Sequence, residues 1–260
     1  IGKDILIPAH GVYWPIMLKA LGFKDSEIPT LLVHGWWNIA GSKMSKSLGN
    51  IVDPDLLADR YGPEALRYYL MSDIATGRDA DFSEERLVQR FNADLANSLG
   101  NLLNRTLNMA QKYRQGVLTA PSQPEHLDLV REALPVEVAA ADYRAAFEQH
   151  AVHQALEAAF RLVAACNQFI DNQKPWAVAK NPDQAGLLDS ILYALADSLR
   201  VTAILISPVL PKAARAIFGQ LNLDAPFQLA DTRRGLLPTG HQLGTPTPVF
   251  PRIEPSAPAA

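Results

Sequence analysis

Residues 41–50 read Gly-Ser-Lys-Met-Ser-Lys-Ser-Leu-Gly-Asn. Lys43 and Lys46 stand three apart, Ser45 and Ser47 add two hydroxyls, and Gly41 and Gly49 flank them. Apolar content is low, so little in the stretch draws it into a core. Such a loop either stays solvated or brings two ammonium groups and several hydrogen-bond donors onto a polyphosphate. Lysine, a compact charge on a flexible stem, suits the second task. A loop of this kind orders when its ligand arrives. In that role Lys46 makes the closest phosphate contact and Lys43 supports it. Ser45 and Ser47 donate hydrogen bonds or cap the loop, and the two glycines act as hinges or as plain turn residues.

Outward from this loop, the flanking pattern mixes short strands and helices. Ile5-Leu6-Ile7 suggests a short buried strand, residues 10–21 a helix stopped by Gly22, and Thr30 to Trp37 a second strand leading into the loop. Asp53-Pro54 opens a helix through Arg60, with proline at the first helical position. Gly62-Pro63 breaks the chain, and Glu64 to Met71 forms the next helix. This suits the latter part of an α/β nucleotide-binding fold, whose ligands bind at strand ends. From Ser83 the pattern becomes helix after helix. Ser83 begins a capping box with an imperfect third position, and its helix runs to about Arg114. A loop follows over Gly116 to Pro124, then helices at about 127–147, 150–173, 184–206 and 208–222, and a Pro/Gly/Thr-rich tail after Leu223. The expected fold class is α/β followed by all-α, divided as residues 1–81, 82–222 and 223–260.

At 260 residues, 48% hydrophobic and 20% charged, the chain can build a substantial core. Its formal charge of −3 argues against a protein that coats nucleic acid by a broad basic surface. Any RNA contact must be local and shaped. Cys166, the single cysteine, sits in an apolar helical stretch and reads as a small buried residue. It excludes an internal disulfide framework. The apolar runs are too short to span a bilayer and no signal peptide is visible, so the expectation is a soluble cytoplasmic protein. The chain opens on Ile1 rather than methionine and reads as a piece of something longer.

Three further clusters carry chemistry. Asp4 and His10 follow Gly2-Lys3 closely; each has a structural reading beside a ligand-binding one. On the helix from Ser83, Leu95, Leu99, Leu102 and Met109 share a core face, and Asn97, Asn101, Arg105 and Asn108 line the opposite one. That second face is either solvated surface or an array for base edges. Asparagine is a poor helix former, and a merely wet face would use Lys, Glu or Gln. Finally, Pro175 breaks a long helix and holds Trp176 at its mouth. The indole either stacks on an unpaired base, an interaction of about 1–3 kcal/mol, or packs between helices.

The string Lys-Met-Ser-Lys-Ser resembles the signature loop of class I aminoacyl-tRNA synthetases, which closes over ATP and stabilises departing pyrophosphate. Across nearly the whole chain the resemblance narrows to the methionyl-tRNA synthetase family. It runs through Gly-Lys-Asp-Ile (2–5), Val-Tyr-Trp-Pro (12–15), His-Gly-Trp (34–36) and Ala-Leu-Arg-Tyr-Tyr-Leu (65–70). It continues through Asn-Ala-Asp-Leu-Ala-Asn (92–97), Asn-Leu-Leu-Asn-Arg (101–105), Lys-Pro-Trp (174–176) and Phe-Pro-Arg-Ile-Glu (250–254). The resemblance implies the C-terminal half of a Rossmann-like catalytic domain with its connecting segment, then a helix-bundle anticodon-binding domain and a tail packing on the core. It implies Lys43 and Lys46 as catalytic, with Asp4, Gly35, Trp36 and Ser45 joining Lys46 at ATP. It implies Ile5 and His10 at methionine, and Asn97, Asn101, Arg105, Pro175 and Trp176 at a CAU anticodon. The reaction implied is ATP-dependent activation of methionine and transfer to tRNA(Met), with Mg²⁺ held by the phosphates and no zinc site in this chain.

Two departures stand out. Between Gly2 and His10 the chain holds one residue more than the family pattern. The His-Ile-Gly-His-type signature, most of the methionine pocket and the zinc-bearing connective peptide do not occur in these 260 residues. The expectation is therefore that this chain does not form methionyl-adenylate unaided. Competing readings are a class I synthetase of neighbouring specificity (leucine, isoleucine, valine or cysteine) and a non-catalytic tRNA-binding module. The intact lysine loop argues against the latter.

Overall fold

The computed structural model describes residues 1–45, 49–224 and 228–254. Lys46 and Ser47 lie outside the described residues. After one 3-10 turn (Lys3–Ile5) and an irregular helical stretch (Leu6–Tyr13), helix α1 runs over Trp14–Ala20 with Pro15 in its first turn. Gly22, at φ +94°, then turns the chain away. Strand β1 (Trp37–Ile39) pairs antiparallel with β2 (Ser42–Lys43) and parallel with β3 (Ala80–Asp81). A parallel bridge joins Gly2 to His34. Among the described residues of 1–56 only Gly35 is buried, so this part contributes a site but almost no core.

The sequence reading is corrected at three places here. Ile5-Leu6-Ile7 is not a buried strand: Ile5 is 43% and Ile7 69% exposed, and Pro8 has no N–H for a ladder. A β-branched apolar run cannot make a strand where, among the described residues, no partner lies alongside. The second strand begins at Trp37, not Thr30, because only from there does β3 supply bonds, with Trp36 O accepting from Ala80 N at 2.9 Å and Asn38 O from Phe82 N at 2.7 Å. The helix expected at 127–147 is two, α6 (Pro124–Ala133) and α7 (Val136–Glu148). Pro135 cannot donate to the α6 ladder and separates them.

The helical part follows its sequence signals closely. Helix α2 (Pro54–Tyr61) is capped by Asp53, whose carboxylate accepts from Asp55 N and Leu56 N. Gly62 at φ +87° ends it, and α3 (Pro63–Asp73) starts at once on Pro63. Ser83 Oγ accepts from Arg86 N at 3.2 Å and starts a continuous rod. The rod comprises α4 (Glu84–Arg90), a π-helical segment (Phe91–Gly100) and α5 (Asn101–Arg114). Leu87, Leu95, Leu99, Leu102 and Leu107 along it are fully buried. A minimal sheet of β4 (Val117–Leu118) and β5 (His241–Gln242) ties the expected loop to the tail.

Helix α8 (Val152–Gln173) buries Ala155, Ala158, Ala159, Leu162, Cys166 and Ile170 at helical spacing. Its small residues let α7 approach closely. A four-residue helix, α9 (Pro175–Val178), follows. At the centre lies α10 (Ala185–Ile206), buried without interruption from Ser190 to Ile206; it is mostly apolar, and its buried Asp197 and Arg200 pair with each other. It touches α5, α6, α7, α8, α9 and α11 (Pro211–Gln220). Each fully buried leucine here adds about 1.5–3 kcal/mol over exposure. Leu57, Leu66, Tyr68 and Tyr69 of α2 and α3 share this same core, so the helices beyond the lysine loop anchor it to the bundle. Among the described residues no helix is long and apolar enough to cross a membrane.

Candidate catalytic loop and nucleic-acid interface

The small sheet gathers the first set of site residues around the Trp36 indole. Lys43, at the end of β2, places its Nζ 4.2 Å from the ring centroid, and Lys3 Nζ sits 4.2 Å from the same centroid. Each ammonium also has a carboxylate: Lys43 Nζ meets Asp4 Oδ2 at 3.4 Å, and Lys3 Nζ meets Asp79 Oδ2 at 2.6 Å. Asp79 Oδ1 accepts from Trp36 N at 2.9 Å, which holds the Trp36 backbone beside the Lys3 pair. Gly35 makes the approach possible, since a Cβ there would lie 2.1 Å from the Arg78 carbonyl oxygen.

The electrostatics follow from these contacts. The Trp36 side chain first, then its own backbone and Lys43, hold the Asp4 carboxyl below its ordinary range. Lys3 first, then the Trp36 N–H, do the same for Asp79. All four charges are well exposed, so these pairs add little to stability. The long Lys43–Asp4 contact is correspondingly cheap to break. Beyond β2, Asn50 pins the loop: Ser45 N donates to Asn50 Oδ1 at 2.8 Å and Asn50 Nδ2 donates to Lys43 O at 3.3 Å. Ile5 and His10 also meet, the Ile5 carbonyl lying 2.9 Å from His10 Nδ1, with the His10 ring edge-on to Trp14 at 6.2 Å.

The second set lies on the rod. Asn97, Asn101, Asn104 and Asn108 are exposed in one stripe, while Arg105 beside them is half-buried. Arg105 Nη2 pairs with Asp171 Oδ1 at 2.7 Å. Asp171 stands in the last turn of α8, which Lys174 ends in a left-handed conformation, φ +46°. Pro175 is buried at the start of α9 and Trp176 is 43% exposed. The Arg105–Asp171 pair thus ties the polar stripe to the end of α8 that carries Trp176. The Trp176 ring, following a buried proline, is open to solvent rather than spent on the core.

The structure therefore brings Asp4, Gly35, Trp36 and Lys43 together, and links Arg105 to the turn bearing Trp176. Sequence reasoning left Lys3, Asp79, Asn50, Asn104 and Asp171 without a role. Lys3 and Asp79 are 76 positions apart and Arg105 and Asp171 are 66 apart; no local pattern joins them. Asn104 was legible, since it falls on the Asn97–Asn101–Asn108 stripe at helical spacing. Among the described residues no group of three or more His, Cys, Asp or Glu could hold a metal ion.

Comparison with known proteins covers the chain in two parts. Residues 1–107 match the family described as tRNA synthetases class I (M), and residues 117–259 match the anticodon binding domain of methionyl tRNA ligase. A methionine–tRNA ligase of Caldanaerobacter subterraneus subsp. tengcongensis is 40% identical over 257 residues, 98% of this chain and 39% of that protein. One from a Nostoc species is 41% identical, covering 98% of this chain and 49% of that protein. The Mycobacterium tuberculosis methionyl-tRNA synthetase in complex with methionyl-adenylate superimposes with a TM-score of 0.86 at 36% identity, over 97% of this chain and 49% of that one. The chain thus spans between two fifths and half the length of these relatives.

Proposed function

The chain belongs to the methionyl-tRNA synthetase family, and from that premise we propose that it is the phosphate-handling and anticodon-reading portion of a methionine–tRNA ligase. In the proposed reaction the methionine carboxylate attacks the α-phosphorus of ATP and pyrophosphate leaves. A hydroxyl at the 3′ end of tRNA(Met) then attacks the carbonyl of methionyl-adenylate, forming the ester as AMP leaves. Charge builds on the β and γ phosphates as the bond breaks, and fixed cations there are commonly the largest catalytic term. Lys43 exchanges Asp4 for a phosphate oxygen while Trp36 keeps the ammonium in place. Lys46 is assigned the closest contact on its sequence position, with Ser45 and Gly35 at the same nucleotide. Mg²⁺ is held by the phosphates, whose charge it shares with the lysines.

Residues 1–81 contribute this half-site, with Ile5 and His10 toward methionine. Residues 82–222 read the CAU anticodon through Asn97, Asn101, Arg105 and Trp176, with Pro175 stiffening the turn. Residues 223–260 form the proposed tail, whose described residues Leu237, Leu243 and Phe250 join the core, while 225–227 and 255–260 lie outside the described residues. The cytoplasm, where tRNA is charged, is the proposed compartment. The observation that carries the reading is Trp176, 43% exposed in the turn just past α8, whose Asp171 pairs with Arg105.

The test has two arms. A CAU anticodon stem-loop binds the 260-residue chain, and Trp176→Ala weakens it by about 1–3 kcal/mol without lowering the unfolding midpoint. Unchanged binding removes the anticodon assignment. ATP–pyrophosphate exchange is expected to be absent with these 260 residues alone and present when they are joined to the N-terminal portion of a relative. Exchange by the 260 residues alone overturns the division of labour.

A further inference from the structure

Resting on the reading of the helical face as an RNA surface, we propose that the tail builds a second wall of the anticodon interface. We further propose that Asn104 is a specificity-determining residue for an unpaired base held between rod and tail. A groove of about 440 Å³ runs there, with Asn97, Asn101 and Asn104 on one flank and Pro248, Val249 and Phe250 on the other. None of the described residues lining it is charged. A neutral, planar group is therefore its natural occupant, not a phosphate.

The geometry of each flank supports a base. Spacings of four and three place the three amides on one helical face. Gly100 lies between them, and a Cβ there would sit 3.5 Å from Phe250 Cδ2 and 3.1 Å from the Leu95 carbonyl oxygen, so a bulkier side chain would invade the slot. Asn108 Nδ2 donates to Asn104 Oδ1 at 2.5 Å and to Asn104 O at 2.8 Å. That contact orients the Asn104 amide and leaves its own N–H groups to donate. With its oxygen engaged by Asn108, the Asn104 amide presents N–H donors, which suit a ring nitrogen or carbonyl oxygen on a base edge. Unpaired loop bases, with edges free, are the usual targets of sequence-specific RNA recognition.

The tail wall is fixed at both ends by side-chain amides. Gln220 donates from Nε2 to Thr247 O at 3.0 Å and accepts from Thr247 N at 2.9 Å. Asn92 donates from Nδ2 to Ile253 O at 2.8 Å and accepts from Ile253 N at 2.9 Å. Between these clamps the Phe250 ring meets Phe91 edge-on at 6.2 Å. Phe250, only 9% exposed, backs the wall, so the rigid apolar surface met by a base is that of exposed Pro248 and half-buried Val249, at small ordering cost. Asn92 and Gln220 act as positioning residues for it.

The experiment titrates the 260-residue chain with CAU stem-loops carrying each single-base change in the loop. Asn104→Ala is expected to lower cognate affinity by about fivefold or more and to relax discrimination at one loop position, with an unchanged unfolding midpoint. Asn92→Ala shows the same pattern more weakly. A photo-crosslinking residue at Val249 captures a loop nucleotide. If Asn104→Ala weakens every loop equally, or not at all, while Asn101→Ala and Trp176→Ala still lose binding, this inference is overturned and the anticodon reading stands. Crosslinks that miss the loop also overturn it. If Asn101→Ala and Trp176→Ala bind as before, the anticodon reading itself fails.

Discussion

Replacing Asp197 with alanine removes the carboxylate that neutralises Arg200 inside α10. Both side chains are nearly inaccessible, at 2% and 5% exposure, and Asp197 Oδ1 accepts from Arg200 Nε at 2.7 Å. Asp197 Oδ2 also accepts from Gly235 N at 2.5 Å, while Arg200 donates to Asp231 O at 2.5 Å and Arg233 O at 2.6 Å. The pair therefore holds the tail at 231–235 onto the central helix. In Asp197→Ala the guanidinium keeps two carbonyls but no counter-charge, and Gly235 N loses its acceptor. Breaking a buried pair from one side costs about 3–5 kcal/mol. For a chain of this size, at roughly 2–4 °C per kcal/mol, the thermal midpoint falls by about 6–20 °C. Urea titration should show a lower midpoint with an unchanged slope. The double variant Asp197→Leu/Arg200→Met removes both charges and should lose less than the single one. A loss below about 1 kcal/mol in Asp197→Ala, or a double variant worse than the single, refutes the reasoning.

Three more outcomes are expected. Gly35→Ala forces a Cβ onto the Arg78 backbone, at a cost of about 1–3 kcal/mol, and should raise amide exchange at Ala80 and Phe82; unchanged protection there counts against the close approach. Burial pushes the Cys166 thiol up to about 12. It should resist alkylation at pH 8 until denaturant is added, and because its pKa is raised on folding, its contribution to stability is lost as pH climbs from the unfolded value toward that figure. Glu137, hydrogen-bonded by Arg234 and held below the ordinary carboxylate range, has the opposite sign. Its stabilisation is complete above the unfolded pKa and disappears as pH falls through the lowered folded one, so Glu137→Gln should flatten the acid limb of a stability–pH curve.

Where signals were local, the fold was legible. Asp53-Pro54, Gly62-Pro63 and Ser83 each announce a helix end through a cap or a missing N–H, and the structure has a boundary at each. Leu95, Leu99 and Leu102 marked the buried face of the rod because one period governs both pattern and packing, and Met109, expected on the same face, is half-buried against it. Ile5-Leu6-Ile7 misled for the opposite reason: strand pairing depends on a distant partner, and among the described residues none lies alongside. Pro135 shows that a proline can outweigh a helical pattern when it falls between two apolar runs.

The lysine loop, the asparagine stripe and the Lys-Pro-Trp turn were determined by sequence alone, since each is a short segment whose residue types carry their own chemistry. Tertiary structure decided which of these meet. Lys3 and Lys43 share one indole, Arg105 binds the end of the helix that presents Trp176, and the tail stands opposite Asn101 and Asn104. Such contacts join residues from tens to about 150 positions apart, and they follow from how buried faces pack, which no local window of sequence contains.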